Sequence, residues 1–198
     1  MRYLLLLLVS LNLFAVDATL RIEKDVEHRS RIALEDASST KNQQFFKILL
    51  SDLKISGHFL ADTTHHKGDL NSNFIAPALK SKEYVLRYVF SQGSGTKLIV
   101  RLLKASDGKE LFKKSYSIPT TSKAPFLAHK AISDINDVLK YPSISWINRY
   151  VVFSRYTAAR QSEIILADYT FNYKKIIIRG GLNLFPKWAD PKQKSLYY

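Results

Sequence analysis

The chain has 198 residues, 46% of them hydrophobic, with 11 Phe, 11 Tyr and 2 Trp. That composition supports a buried core and excludes a globally disordered chain. There is no cysteine, which excludes disulfides and thiolate metal sites, and the net charge is +13 with the lysines scattered in short runs, as on a solvated basic surface.

Arg2 precedes a nearly continuous apolar run over residues 3–16, and Val16-Asp17-Ala18 offers small residues at a cleavage position. This is the order of a secretory signal peptide, and the run is shorter than the roughly 20 residues that a membrane span needs. Cleavage near Ala18 would remove one base and one acid and leave the net charge unchanged. An exported, cysteine-free protein must be held together by its core alone.

Residues 31–35, RIALE, read as a strand, and the polar Asp36, Ser38, Ser39 and Thr40 after them are natural helix starters. The helix that follows places Phe45, Phe46, Leu49, Leu50 and Leu53 on one face, and Gly57 ends it as a left-handed C′ residue. GHFLADTT is a second strand, HHKGDLNSN a loop, and FIAPALKSK a short helix with a proline in its first turn. Three strands are predicted at residues 83–90, 96–103 and 110–117, with Asp107-Gly108 as a type I′ hairpin signal between the last two. A second helix carries Ala124, Leu127, Ala128, Ala131, Ile135, Val138 and Leu139 on one stripe and stops before Pro142.

After Pro142 the helical spacing disappears. Four short strands are predicted at residues 146–156, 163–169, 175–179 and 195–198, separated by turn residues. Four such strands would make one propeller blade, which alone cannot close a ring or bury its faces. The last fourteen residues, FPKWADPKQKSLYY, resemble the hairpin that opens a recurring unit, so the chain is expected to be a fragment. The fold class is thus a mixed-sheet α/β domain with two main helices, residues 19–143, followed by an incomplete all-β propeller, residues 144–198, after the signal peptide of residues 1–18.

The order of elements and motifs resembles the TolB family, periplasmic proteins of the bacterial Tol–Pal system. The resemblance rests on Asp52-Leu53 with Ser56-Gly57 and Phe59, on LIVRLLKASDGKEL at residues 98–111, and on AHKAISDINDVL at residues 128–139. It continues through Arg149 to Phe153, residues 163–169, and Gly181 to Trp188 with Asp190. The chain departs from the family pattern where VLKYPSIS ends the second helix, where Thr170-Phe171 follows Asp168-Tyr169, and where Ala189-Asp190-Pro191-Lys192 replaces a Ser-Pro-Asp-Gly turn.

What the resemblance implies is a non-enzymatic, periplasmic, monomeric binding protein, peripheral to membranes. It would link inner- and outer-membrane components and support outer-membrane integrity and constriction during division. Its implied partners are the Pal lipoprotein, at the mouth of the propeller, and the C-terminal domain of TolA, at the mature N-terminus. Thr19, Leu20, Arg21, Ile22, Glu23, Lys24 and Asp25 form that terminus; Leu20 and Ile22 alternate with charged residues, a pattern that can add a strand to a partner's sheet or pair within its own domain.

The residues themselves argue against chemistry. His65-His66 with Asp62 is the only local cluster of metal-ligating types; adjacent residues on a strand face opposite ways, so an exposed loop pair is expected and no metal. His129 lies beside the apolar stripe of its helix and is expected to be a satisfied structural histidine, not a catalytic one. Gly93-Ser94-Gly95 joins two strands and Gly180-Gly181 is a turn; neither has the spacing of a nucleophile elbow or a phosphate loop. Trp188 is expected in a blade core and Trp146 between the domains. No cofactor, nucleic-acid or catalytic role is assigned. The alternative is the propeller region of an exported peptidase, which would require a Ser-Asp-His domain beyond residue 198.

Overall fold

Strand β1 (Ser30–Asp36) is buried at every position but Arg31 because both of its faces are covered. Ile32 and Leu34 point into one core and Ala33 into another. The structure, a computed structural model, describes residues 28–198, so the segment of residues 19–25 and the apolar N-terminal run lie outside it. Helix α1 (Gln43–Ile55) follows, capped by Asn42, whose side chain accepts from the Phe45 N–H at 2.8 Å. The cap therefore sits beyond the predicted starters. Asp36 and Ser38 have other partners: Asp36 accepts from the Ser38 N–H at 2.9 Å, and the Ser38 hydroxyl accepts from the Phe90 N–H at 2.9 Å. Gly57 ends the helix at φ +78°, as expected.

The chain returns as β2 (Phe59–Ala61), shorter than predicted, and β3 (His66–Lys67), both parallel to β1. After the 3₁₀ turn Pro77–Leu79 come β4 (Tyr84–Gln92), β5 (Thr96–Lys104) and β6 (Glu110–Ile118). The sheet runs β2-β1-β4-β5-β6, with β4 parallel to β1 and the rest a meander. Helix α2 (Ala124–Val138) packs beside α1 on one face, over Leu86, Tyr88, Leu98, Val100 and Leu102. The buried surface of α2 exceeds its predicted stripe, taking in His129, Ile132, Ser133 and Asn136, because it is covered on two sides; Val138, assigned to the stripe, is 41% exposed.

The other face of the sheet is roofed by the irregular segment before the 3₁₀ turn, with Ile75 and Leu79 on Ala33, Val85, Leu103 and Ala105. Two register-paired arginines fasten it, Arg87 on β4 and Arg101 on β5. Arg87 Nε donates to Glu35 at 2.5 Å, and its terminal nitrogens donate to the carbonyls of Ser72 and Phe74. Arg101 donates to the carbonyls of Leu70 at 3.0 Å and Ser72 at 2.8 Å, to Glu110, and to the Asn73 side chain.

The β5–β6 turn differs from the two-residue hairpin expected. Five residues separate the strands, the register shifts at Leu102/Leu103, and only Gly108 has a positive φ, +71°. The roof dictates this: a Cβ on Gly108 would lie 2.2 Å from the Asn73 carbonyl oxygen. Gly108→Ala should therefore lose about 1–3 kcal/mol through backbone strain and the displaced roof, measurable as a lowered midpoint in urea unfolding.

A 3₁₀ turn at Ser145–Asn148 carries the chain into β7 (Val151–Ala158), β8 (Gln161–Ala167) and β9 (Lys174–Ile178), an antiparallel sheet in that order. The fourth predicted strand does not join it. Residues 195–198 contribute β11 (Leu196–Tyr197), which pairs with β10 (Lys187–Trp188) in a separate ribbon. Gly180 and Gly181, both at positive φ, turn the chain away from β9, and Asn183 fixes the exit with bonds to Ser162 and the Gly180 carbonyl. The ribbon is tied instead to the entry of β7, since the Gln193 amide accepts from the Tyr150 N–H at 3.0 Å and donates to its carbonyl at 2.8 Å.

Candidate functional site at the junction

Asp52 sits on the inward face of α1 between Leu49 and Leu53, and a carboxylate there needs a buried partner. The partner comes from α2. His129 Nδ1 lies 2.8 Å from Asp52 Oδ2, and Nε2 lies 3.2 Å from Oδ2 of Asp168, just beyond the end of β8. All three side chains are fully buried. The Tyr169 hydroxyl donates to the other Asp52 oxygen, while the Thr170 N–H and hydroxyl and the Tyr173 N–H donate to Asp168. One imidazole thus ties the helical layer to the second sheet.

Both ring nitrogens can donate only in the imidazolium. Burial alone would lower the His129 pKa, but the bonds and charges of Asp168 and Asp52 outweigh it and lift it to about 9. For Asp168, burial is likewise overcome, here by bonds from His129, Thr170 and Tyr173, and the carboxyl falls to about 2. At Asp52 burial wins: it pushes the carboxyl up against the pull of His129 and Tyr169. Aromatic rings close the site, with Tyr169 at 4.9 Å and Phe126 at 5.6 Å from the imidazole. Phe126 in turn packs on Tyr150 and Tyr173.

The arrangement resembles an acid–base dyad in composition only. Its three ionisable side chains are fully buried, and the Thr170 hydroxyl is spent on Asp168. Its chemistry is charge pairing that fixes two modules. His129 is the satisfied structural histidine expected, but its two partners lie 77 and 39 residues away, beyond the reach of local pattern reading. The available signal was an acid at position 52 on an apolar helical stripe.

The other candidate residues are scattered. His65 is not an exposed loop residue: its ring stacks on Phe46 at 4.1 Å, and its nitrogens meet Asp36 at 2.8 Å and Gln43 at 2.9 Å. It packs under α1 because β3 extends the sheet there. His66 faces the opposite way, 3.4 Å from Asp62. Among the described residues, no group of three or more acidic or histidine side chains is placed to hold a metal ion. Gly93 to Gly95 join β4 and β5. Trp146 is half-exposed and meets Tyr169 edge-on at 5.4 Å; Trp188 is half-buried in its ribbon. Among the described residues no helix is long and apolar enough to cross a membrane. Residues 19–25 lie outside the described residues.

No family model matches the chain. It is, however, 39% identical over 207 aligned residues to the Tol-Pal system protein TolB of Wolinella succinogenes, covering 100% of this chain and 49% of that protein. The chain belongs to the TolB family. TolB of Helicobacter hepaticus is 38% identical over 98% of this chain and 48% of its own length. The chain spans about half the length of the curated TolB proteins it matches. The fold agrees: the crystal structure of TolB from Acinetobacter baumannii superposes with a TM-score of 0.62 at 18% identity, covering 85% of this chain and 43% of that one.

Proposed function

We propose that the protein is a periplasmic, non-enzymatic interaction component of the Tol–Pal envelope complex. It links inner- and outer-membrane components and supports outer-membrane integrity and constriction during division. The observation that carries this reading is the 39% identity to a TolB protein along the entire chain. In this reading β7–β9 form the first blade of a propeller. The β10–β11 ribbon, paired apart from that sheet, opens the next unit. Pal binds at the propeller's mouth, and residues 19–25 add a strand to the C-terminal domain of TolA. The buried junction supports such a role, since a propeller and an α/β domain held in fixed orientation present two partner surfaces at a constant separation.

Deleting residues 19–25 should weaken capture of the TolA C-terminal domain by more than about tenfold, the loss expected when a backbone-paired strand is removed. The thermal unfolding midpoint should not move. Calorimetry with full-length and truncated protein measures both quantities, and an unchanged affinity would exclude the assignment.

A further inference from the structure

Among the described residues the sheet ends at β2, with no strand paired beyond it. His58 and Asp62 bond to β1 through Ser30 N–H to His58 C=O at 3.0 Å and Asp62 N–H to Ile32 C=O at 2.8 Å. By the alternation of a parallel ladder, Phe59 and Ala61 turn their own N–H and C=O groups to the free side. A groove of about 500 Å³ runs along this edge, lined by Arg29, Arg31, Lys54, Leu60, Asp62 and Lys82. Among the described residues lining it the one acid, Asp62, is engaged by Lys82 at 2.9 Å and by His66. Among the described residues no carboxylate lies within 4 Å of the side-chain nitrogens of Arg29, Arg31 or Lys54, and Glu83 accepts from the Arg31 backbone N–H at 3.2 Å. Lys54 also borders a second groove of about 370 Å³ with Leu50 and Ile55. Leu60 and Ile55 are each 52% exposed, so apolar surface alternates with positive charge.

We infer that the β2 edge and its basic groove bind an acidic, extended peptide segment of another protein by strand addition. Three features choose this occupant. Free backbone groups on a sheet edge ask for a strand, and exposed Leu60 offers apolar contact to alternate side chains. Arg29, Arg31 and Lys54, whose side-chain nitrogens meet no carboxylate among the described residues, ask for carboxylates. A second copy of the same edge brings the same positive charges and is repelled. The surface shares no residue with the junction.

The test is fluorescence anisotropy with the full-length protein and a labelled peptide of alternating Glu and Val. Binding should saturate, and the peptide with Lys in place of Glu should not bind. Raising salt from about 0.1 M to about 1 M, which shortens the screening length from about 10 Å to about 3 Å, should weaken binding strongly. N-methylating alternate peptide amides, which removes the edge-facing donors and leaves the protein untouched, should abolish binding. Arg31→Glu with Lys54→Glu should weaken it by about tenfold, two exposed pairs being lost and replaced by repulsion. An acidic peptide that does not bind, or that binds equally well when N-methylated or to the charge-reversed protein, would overturn the inference. So would an edge occupied instead by anionic lipid vesicles or by a second copy, seen by co-sedimentation or analytical ultracentrifugation.

Discussion

Asp52→Ala should lower the stability of the folded protein by about 3–5 kcal/mol, the range for removing one member of a buried ion pair. The His129 imidazolium would keep only Asp168, the Tyr169 hydroxyl would lose its acceptor, and a cavity would open between α1, α2 and the end of β8. Urea unfolding followed by tryptophan fluorescence reports this directly, because Trp146 packs edge-on against Tyr169. Asp52→Asn keeps the shape and one acceptor and should lose less. The pH dependence has a definite sign. His129 rises from 6.5 to about 9 on folding, so its stabilisation is complete below about pH 6.5 and is lost as pH climbs through about 9. That decline amounts to about 3 kcal/mol and should flatten in His129→Gln. On the acid side Asp168 falls from 3.8 to about 2, so its contribution holds above pH 3.8 and is lost as pH drops through about 2. Asp52, pushed up by burial, opposes this loss, since it is relieved on protonation. Superposable unfolding curves for parent and Asp52→Ala at pH 7 would remove the network as the tie between the modules.

Arg87→Ala should cost a similar amount, about 3–5 kcal/mol, for a different reason. Glu35 is buried with Arg87 as its ion-pair partner, the carbonyl of Phe74 depends on the same guanidinium, and that of Ser72 is shared between it and Arg101. Without it the roof over Ala33, Val85 and Leu103 should loosen, and amide exchange at residues 72–76 should quicken before the helical face opens. Lysine supplies one point charge where three diverging donors are needed, so Arg87→Lys should recover little. Replacing the pair by apolar residues, Arg87→Met with Glu35→Leu, should recover part of the loss, because no buried charge is then left alone. Protection at residues 72–76 equal to that of the parent would show that the arginine is not what holds the segment down.

The elements legible in the sequence were those whose periodicity is local. Phe45, Phe46, Leu49 and Leu53 marked α1 at their own spacing, and the meander of β4, β5 and β6 followed from its apolar runs and turn residues. Long-range demands set the rest. Asp107-Gly108 reads as a tight hairpin in isolation, yet Asn73 occupies the space beside Gly108 and imposes a wider loop. His65 reads as part of a polar loop, yet Phe46 and Asp36 bury it. After Pro142, β7, β8, β9 and β11 were visible as strands and β10 was not, and the partition between sheet and ribbon depends on Asn183 and Gln193, whose bonding no periodicity encodes. At the junction, Asp52, His129 and Asp168 each stood out only as a polar residue near an apolar stripe or at a strand end.

The two arginines grip the roof mostly by its carbonyl oxygens, those of Leu70, Ser72 and Phe74. Every amino acid carries that oxygen, so the fastening does not ask which side chains stand at these places. Apart from Asn73, held by Arg101, and Asp69 and Ser72, whose side chains accept from the N–H groups of Asn71 and Phe74, the stretch from residue 69 to 74 is therefore free to change identity over evolutionary time while the cover it forms stays shut. The outward surface there, with Phe74 69% exposed, can be rewritten without reopening the layer beneath.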